Sequence, residues 1–298
     1  MRIRYIACDS LGVKSMCTQV KTRDTVITID PGVSIESASF PLPENKRKGL
    51  VRRYCKRVRR SCNKSEFIII THYHHDHYIP DIDFYKDKRL IVKDYNRNIN
   101  KSQRKRAYEL MELIDGNVDS IAYADNNTFV IDKTAISISE PLWHGNEKTR
   151  LGFVVMVEIV DEHKNKRLLY TSDLNGIYIE KYADMIINIE PDILIMDGFP
   201  SYLLGYVVSY KNLKSALKNT IKILENTNCE KYIIDHHLLR DYRYREIYYE
   251  VYKRAEELGR NVLTAAEEMG KRPVVVEAYE KYGPTKWNKW SRVTFKTI

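Results

Sequence analysis

Apolar and polar positions change period several times along the chain, and each change marks an element. Residues 2–8 and 16–20 alternate like strands, with Leu11-Gly12 as the turn between them. Residues 25–30 form a third strand, closed by Pro31-Gly32. Over 45–65 the period becomes helical: Leu50, Val51, Tyr54, Cys55 and Val58 recur on one face, and lysines and arginines fill the other. Phe67-Ile68-Ile69-Ile70 reads as a short buried strand. Beyond it, 90–92 predicts a strand, 99–114 a helix, and 129–131 with 135–140 a hairpin. A second hairpin pairs 152–159 with 167–170 across a polar turn at 161–166. There follow a helix over 178–189, a buried strand over 191–198, a helix over 211–225, a last core strand over 231–237 and a last long helix over 243–258. Strand runs precede helices in two successive halves. That pattern predicts an α+β fold in one domain spanning 1–298: an αβ/βα four-layer sandwich of two facing mixed β-sheets with helices on the outer faces. The helix at about 45–65 reads as a basic insertion. The stretch at about 271–298, with Tyr279, Tyr282, Trp287 and Trp290, reads as a packed C-terminal extension.

Composition narrows the class. The chain has 298 residues, 43% of them hydrophobic, enough for a large core. Residues 1–20 carry no apolar run of signal-peptide length, and the run at 153–157 is far too short to span a bilayer. The expectation is a cytoplasmic protein with no membrane partner. The five cysteines are odd in number and form no CxxC pair, which argues against a disulfide framework or a cysteine zinc knuckle. The net charge of +9 favours anionic partners. Its densest stretch, residues 45–65, reads first as a solvated helix face and second as a phosphate-binding surface. No GxSxG, P-loop or paired GxGxxG motif supports a serine hydrolase, an NTPase or a dinucleotide enzyme.

The chemistry concentrates in Thr71-His72-Tyr73-His74-His75-Asp76-His77, which holds half of the chain's eight histidines just after the 67–70 strand. In extended chain, side chains alternate, so His72 and His74 point the same way. After a turn, Asp76 and His77 can face them. Imidazole and carboxylate together suit zinc and similar divalent ions. His163, in the polar turn, reads as plain surface.

His72-x-His74-x-Asp76-His77 resembles the HxHxDH signature of the metallo-β-lactamase superfamily, and further stretches match that family's motifs in order. Asp30 resembles the first motif, whose aspartate supports the histidine loop; read alone it is a turn residue. His144, after a strand and before Gly145, stands where the third motif's histidine is expected; the alternative is a ring packed beside Trp143. Asp173, closing Tyr170-Thr171-Ser172, resembles the fourth motif's bridging aspartate, with a helix N-cap as the alternative. His236 and His237 resemble the fifth, and the spacing leans to His237, further beyond the strand. Asp235 is expected to support them, with Arg240 and Asp241 as further candidates. The overall layout also resembles an archaeal group of metallo-hydrolases.

The resemblance implies two divalent metal ions, zinc first, with manganese or iron permitted by nitrogen and oxygen donors. His72, His74 and His144 would hold one ion, and Asp76, His77 and His236 or His237 the other. Asp173 would bridge them, and Asp76 and Asp173 would be the catalytic carboxylates. The implied function is a hydrolase acting on a phosphoester, thioester or lactone of a small-molecule substrate, with a phosphorylated one favoured by the basic helix. Two alternatives stand beside it: a nuclease or RNA- or DNA-processing protein using that helix, and a non-hydrolytic, iron-dependent redox member of the fold. Charge permits nucleic acid. The interval from Asp173 to His237 leaves no room for the cap domain of the RNA-processing branch, so architecture does not support it.

Overall fold

In the computed structural model, residues 1–286 are described. The apolar alternation at the N-terminus builds an antiparallel meander of β1 (Arg2–Cys8), β2 (Met16–Lys21) and β3 (Val26–Ile29). Asp9–Leu11 makes a 3-10 turn after β1, and Gly12 leaves it with φ 86°. Helix α1 (Glu44–Lys64) then crosses over and brings β4 (Phe67–Ile70) parallel to β3. β5 (Arg89–Val92), helix α2 (Lys101–Ile114) and β6 (Ser120–Tyr123) complete a six-stranded sheet in the order β1-β2-β3-β4-β5-β6.

The second half repeats the scheme. β7 (Thr128–Ile131) and β8 (Thr134–Ile138) form a hairpin, followed by the two-stranded ladder of β9 (Leu142–Trp143) and β10 (Phe153–Val154). β11 (Val157–Asp161) and β12 (Lys166–Tyr170) are antiparallel. Helix α3 (Glu180–Ile189), β13 (Ile193–Asp197), helix α4 (Tyr210–Asn226) and β14 (Lys231–Asp235) add parallel strands. Helices α5 (Tyr244–Ile247) and α6 (Tyr249–Glu257), β15 (Val262–Leu263), and helices α7 (Ala265–Glu268) and α8 (Val274–Tyr282) close the described chain. The second sheet runs β15-β14-β13-β12-β11-β8-β7.

Alternation within the second sheet assigns its two faces. Ile136, Ile159, Leu168, Tyr170, Ile193, Ile195 and Ile233 join the residues of the first sheet in one core. Leu169, Leu194, Met196, Tyr232 and Ile234 face the other way, into a core shared with α3, α4 and α6. α1 lies on β1 and β3 through Tyr54, Val58 and Cys62. The expected four-layer sandwich with two mixed sheets is therefore the architecture found.

Several expected elements differ in detail. The single strand expected over 152–159 is two: Phe153 and Val154 pair with β9, and β11 starts only at Val157. The long helix expected over 243–258 is divided at Tyr248 into α5 and α6. β6, β9 and β15 were not expected at all. They are short, and β6 is mostly exposed, so they carry little apolar periodicity. In the C-terminal extension, α8 buries Val275 and Ala278, and Tyr279 stacks on Tyr242 at 3.5 Å. Trp287 and Trp290 lie outside the described residues.

The parallel strands β3, β4, β12, β13 and β14 end at one edge, where five of the turns carry an aspartate or histidine. One glycine there has no freedom to change. A Cβ on Gly32 would lie 2.2 Å from the His77 backbone nitrogen and 2.3 Å from the Asp76 carbonyl carbon. Backbone cannot step aside as a flexible side chain can, so Gly32→Ala is expected to cost about 3 kcal/mol or more. On Gly49, in the middle of α1, a Cβ would meet nothing within 4 Å. Gly49→Ala should stabilise by about 0.5–1 kcal/mol through helix propensity. Denaturant unfolding of both variants checks the pair; equal effects would contradict the packing described.

Candidate metal centre

The site is assembled by turns whose backbones are tied to one another. Asp30 has φ 48°, a left-handed conformation that turns its carboxylate toward β4. There it accepts from Thr71 N (2.8 Å) and Thr71 Oγ1 (2.7 Å), binding the ends of β3 and β4 together. Beyond Thr71, Tyr73 points away and donates its hydroxyl to Lys93 O, while His72 and His74 approach each other. His72 Nε2 lies 3.2 Å from His74 Nδ1. A turn closed by His77 N donating to His74 O brings His77 back. His77 Nδ1 donates to Asp30 Oδ2 (2.8 Å), leaving Nε2 toward the centre. His75 faces solvent beside Tyr78.

β12 delivers Asp173. Ser172, with φ 59°, makes the bend, and its hydroxyl lies 2.6 Å from that of Thr71, joining the two sheets. Asp173 Oδ2 is 2.9 Å from His144 Nε2, 3.6 Å from His77 Nε2, 3.6 Å from His236 Nε2 and 3.8 Å from His72 Nε2. His144 arrives by way of the β9–β10 ladder. Trp143 stacks on Phe153 at 4.0 Å, and the next ring turns inward rather than packing beside the indole.

β14 delivers the last pair. His236 has φ 61°, and its Nδ1 donates to Asp9 Oδ2 (2.8 Å), leaving Nε2 3.4 Å from His77 Nε2 and 4.0 Å from Asp76 Oδ2. His237 Nδ1 lies 3.0 Å from Asp197 Oδ2 and 3.2 Å from Asp173 Oδ1. Among the described residues four groupings follow, each with one donor atom per residue and all donors within 4.8 Å of one another: His72, His74, His144 and Asp173; Asp76, His77 and His236; Asp173, Asp197, His236 and His237; and Asp30, His72 and His77.

The structure thus brings together His72, His74, Asp76, His77, His144, Asp173, His236 and His237. The lean toward His237 as the companion of Asp76 and His77 does not match this geometry: His236 occupies that place, and the inner nitrogen of His237 is engaged by Asp197. Asp235 meets no imidazole. It accepts from the backbone N–H groups of Ser10, His236 and Ala265, so it fixes the turn rather than a ring. The carboxylate on His236 is Asp9, and Arg240 ties Asp9 (Nε to Oδ1, 2.5 Å) to Asp76 (3.3 Å) and to the Tyr202 hydroxyl (3.0 Å). Asp241 instead holds Ser201 and Arg243. Asp9 and Asp197 were missed, although Asp9 directly follows β1 as Asp30 follows β3, and Asp197 ends β13. His163 is not plain surface but pairs with Asp24 at 3.0 Å, remote from this centre.

Burial holds His72 well below the ordinary imidazole range, His74 at about 4 and His144 at about 3, so all three are neutral and offer lone pairs at neutral pH. Burial opposes charge on His77 and His236 as well, but Asp30 raises the first and Asp9 the second. Burial alone would raise Asp173; His237 and His144 pull it well below the carboxylate range. Both ring nitrogens of His144 and Asp173 Oδ1 are buried and lack a hydrogen-bond partner. Orphaned donors of this kind are costly in a folded protein. A divalent cation among His72, His74, His144 and Asp173 would take His144 Nε2 and an Asp173 oxygen, and the absence of thiolates suits zinc, manganese or iron.

No family model matches the chain. Its architecture is similar to an isothiocyanate hydrolase from Delia radicum gut bacteria (TM-score 0.54, 14% identity, 85% of this chain and 94% of that one). It is also similar to CmlA, a diiron β-hydroxylase from Streptomyces venezuelae (0.52, 13%, 88% and 52%), and to a metal-dependent hydrolase of the β-lactamase superfamily (0.50, 11%, 89% and 95%). The fold is that of the metallo-β-lactamases, as the histidine signature implied. In sequence, the chain is 34% identical over 293 residues to a UPF0282 protein of Methanopyrus kandleri, covering 94% of this chain and 97% of the relative. It is 37% identical over 294 residues to one of Methanocaldococcus jannaschii, covering 94% and 96%. The chain belongs to the UPF0282 family.

Beside Asp9 and Arg240 sits Glu36, 1% exposed, with neither carboxylate oxygen hydrogen-bonded. Burial, and then the charge of Asp9, push it up to about 8, against the pull of Arg240 and Lys14. An acid raised in the folded state costs nothing below its unfolded value. Its penalty grows as pH rises from about 4.5 and is complete above about 8. Glu36→Gln should therefore gain a few kcal/mol over the parent protein at pH 8.5, on the order of 5 °C or more in Tm, and little at pH 5. Thermal unfolding across that range checks it; a gain independent of pH would contradict a neutral Glu36.

Proposed function

We propose that the chain is a metal-dependent hydrolase holding two divalent cations, zinc first, with manganese or iron as the alternatives its donors permit. The convergence of His72, His74, His144, Asp76, His77 and His236 around Asp173 carries this reading. His72, His74 and His144 would hold one ion, Asp76, His77 and His236 the other, and Asp173 would stand between them. Such ions supply Lewis acidity and lower the pKa of water to about 7.

The chain's own residues do the rest. Asp30 and Asp9 each take one ring N–H, of His77 and His236, and so fix which nitrogen faces the centre. Asp76, partly open and 3.3 Å from Arg240, is placed to take up a proton at its Oδ2 edge. Against the pull of burial, His77 and His236, and after them Arg240, keep that carboxylate ionised at neutral pH. Tyr202 lies parallel to the His237 ring, with centroids 6.4 Å apart, and accepts from Arg240. The substrate class is a phosphoester, thioester or lactone, and the basic surface favours a phosphate-bearing small molecule. The core shared by both sheets supports reading the chain as one domain.

The test is elemental analysis of the purified protein joined to hydrolysis of bis(p-nitrophenyl) phosphate, a thioester and a lactone. His74→Ala and Asp173→Ala are expected to lose metal and to lower activity by about 100-fold or more. Full metal stoichiometry in both variants would contradict the assignment. Iron with no ester hydrolysed would favour an iron-dependent redox protein instead.

A further inference from the structure

The metal centre accounts for the buried histidines and carboxylates. It leaves unexplained a concentration of positive charge on the outer face of α1. Counting from Gly49, residues Arg52, Arg53, Lys56, Arg57 and Arg60 fall at i+3, i+4, i+7, i+8 and i+11, so they share one stripe of the helix. With Gly49 and Cys55 they line an open depression of about 800 Å³ that, among the described residues, includes no acidic side chain. At Gly49 the face is open, since a Cβ there would touch nothing within 4 Å.

Three of the other cations of α1 have work within the fold, while Lys46 and Lys64 stand near its two ends. Lys48 pairs with Glu44, Arg59 with Asp83, and Arg47 holds the backbone carbonyls of Glu36 and Leu42. Arg57 stands over the Tyr54 ring at 5.1 Å, which positions it without neutralising it. Arg52, Arg53, Lys56 and Arg60 have no acidic partner among the described residues. Like charges one turn apart destabilise a helix, so folding gives no reason for the stripe. The apolar side of α1, through Tyr54, Val58 and Cys62, is buried, so this face offers no side chain to insert into lipid. From Arg52 to Arg60 the helix rises about 12 Å, roughly three to four phosphate steps along a duplex strand. Guanidinium groups match phosphate oxygens in pairs.

We propose that this face of α1 binds nucleic acid through its phosphate backbone, without reading bases. The surface is separate from the metal centre, and the inference does not depend on the hydrolase reading.

Fluorescence anisotropy of the full chain, with a labelled 20-nucleotide single-stranded RNA and a 20-base-pair DNA, tests this between 25 and 300 mM KCl. Four to five phosphate contacts should give a log–log salt slope of about −3 to −4. The variant Arg52→Gln/Arg53→Gln/Lys56→Gln/Arg60→Gln should bind at least ~30-fold more weakly at low salt, with the slope reduced by about 3. Removing equal charge elsewhere, by Lys164→Gln/Lys211→Gln/Lys214→Gln/Lys253→Gln, should change affinity less than ~3-fold. Single Arg52→Gln and Arg60→Gln variants, each weaker by a few-fold, serve if the quadruple variant melts early. Equal losses in both quadruple variants, no salt-dependent binding, or binding to phosphatidylglycerol vesicles but not to nucleic acid would each overturn the proposal. Hydrolysis of bis(p-nitrophenyl) phosphate by the same variants should be unchanged, so this result and that of the metal centre are read independently.

Discussion

The Asp30 carboxylate is the tie on which the centre depends. It is fully buried and accepts from Thr71 N, Thr71 Oγ1, His77 Nδ1 and the Tyr170 hydroxyl. Those donors come from β4, from the histidine loop and from β12, in the opposite sheet. A buried carboxylate is tolerated only when such donors surround it, and each donor would in turn be orphaned without it. One group therefore fixes the approach of the two sheets, the direction of the loop and the tautomer of His77. Stability and site geometry are here the same set of hydrogen bonds.

The turns around this tie keep unfavourable backbone conformations. Asp30, Ser172 and His236 all have left-handed φ, each a cost of order 1 kcal/mol or more. The strand ends supply the restraint: β3 is locked to β4, Ser172 to Thr71, and His236 to Asp9 and Asp235. The result is a pocket where the neutral rings of His72, His74 and His144 and the ionised carboxylates of Asp76 and Asp173 stand closer than they would alone in water. Both ring nitrogens of His144 and Asp173 Oδ1 even lack a hydrogen bond, although His144 Nε2 lies 2.9 Å from Asp173 Oδ2 and Asp173 Oδ1 lies 3.2 Å from His237 Nδ1. Such a surplus of aimed lone pairs is explained by cations rather than by folding.

Much of this was legible in the sequence because strand ends carry it. The apolar run at 67–70 followed by His72, His74, Asp76 and His77 announces a strand feeding an inward-facing loop, and that is what β4 does. Asp173 could be placed for the same reason. The choice between His236 and His237 could not, because spacing predicts that the ring further from the strand reaches further in. The left-handed φ at His236 turns the chain one residue earlier and leaves His237 against Asp197. Asp9 and Asp197 were hidden because a strand-end aspartate looks the same whether it caps a turn or holds an imidazole. Only the tertiary fold brings Asp9 to a histidine more than two hundred positions away. β9 was missed, and β10 was merged with β11, because two-residue strands have no period, yet their ladder is what turns His144 inward.

The most direct measurement is a crystal structure of the metal-loaded protein with anomalous scattering collected at the absorption edge of the metal found. The expected result is two peaks flanking Asp173, one among His72, His74 and His144 and the other among Asp76, His77 and His236. Density on His237 and Asp197 in place of His236 and Asp76, or no ion beside Asp173 at all, would contradict it.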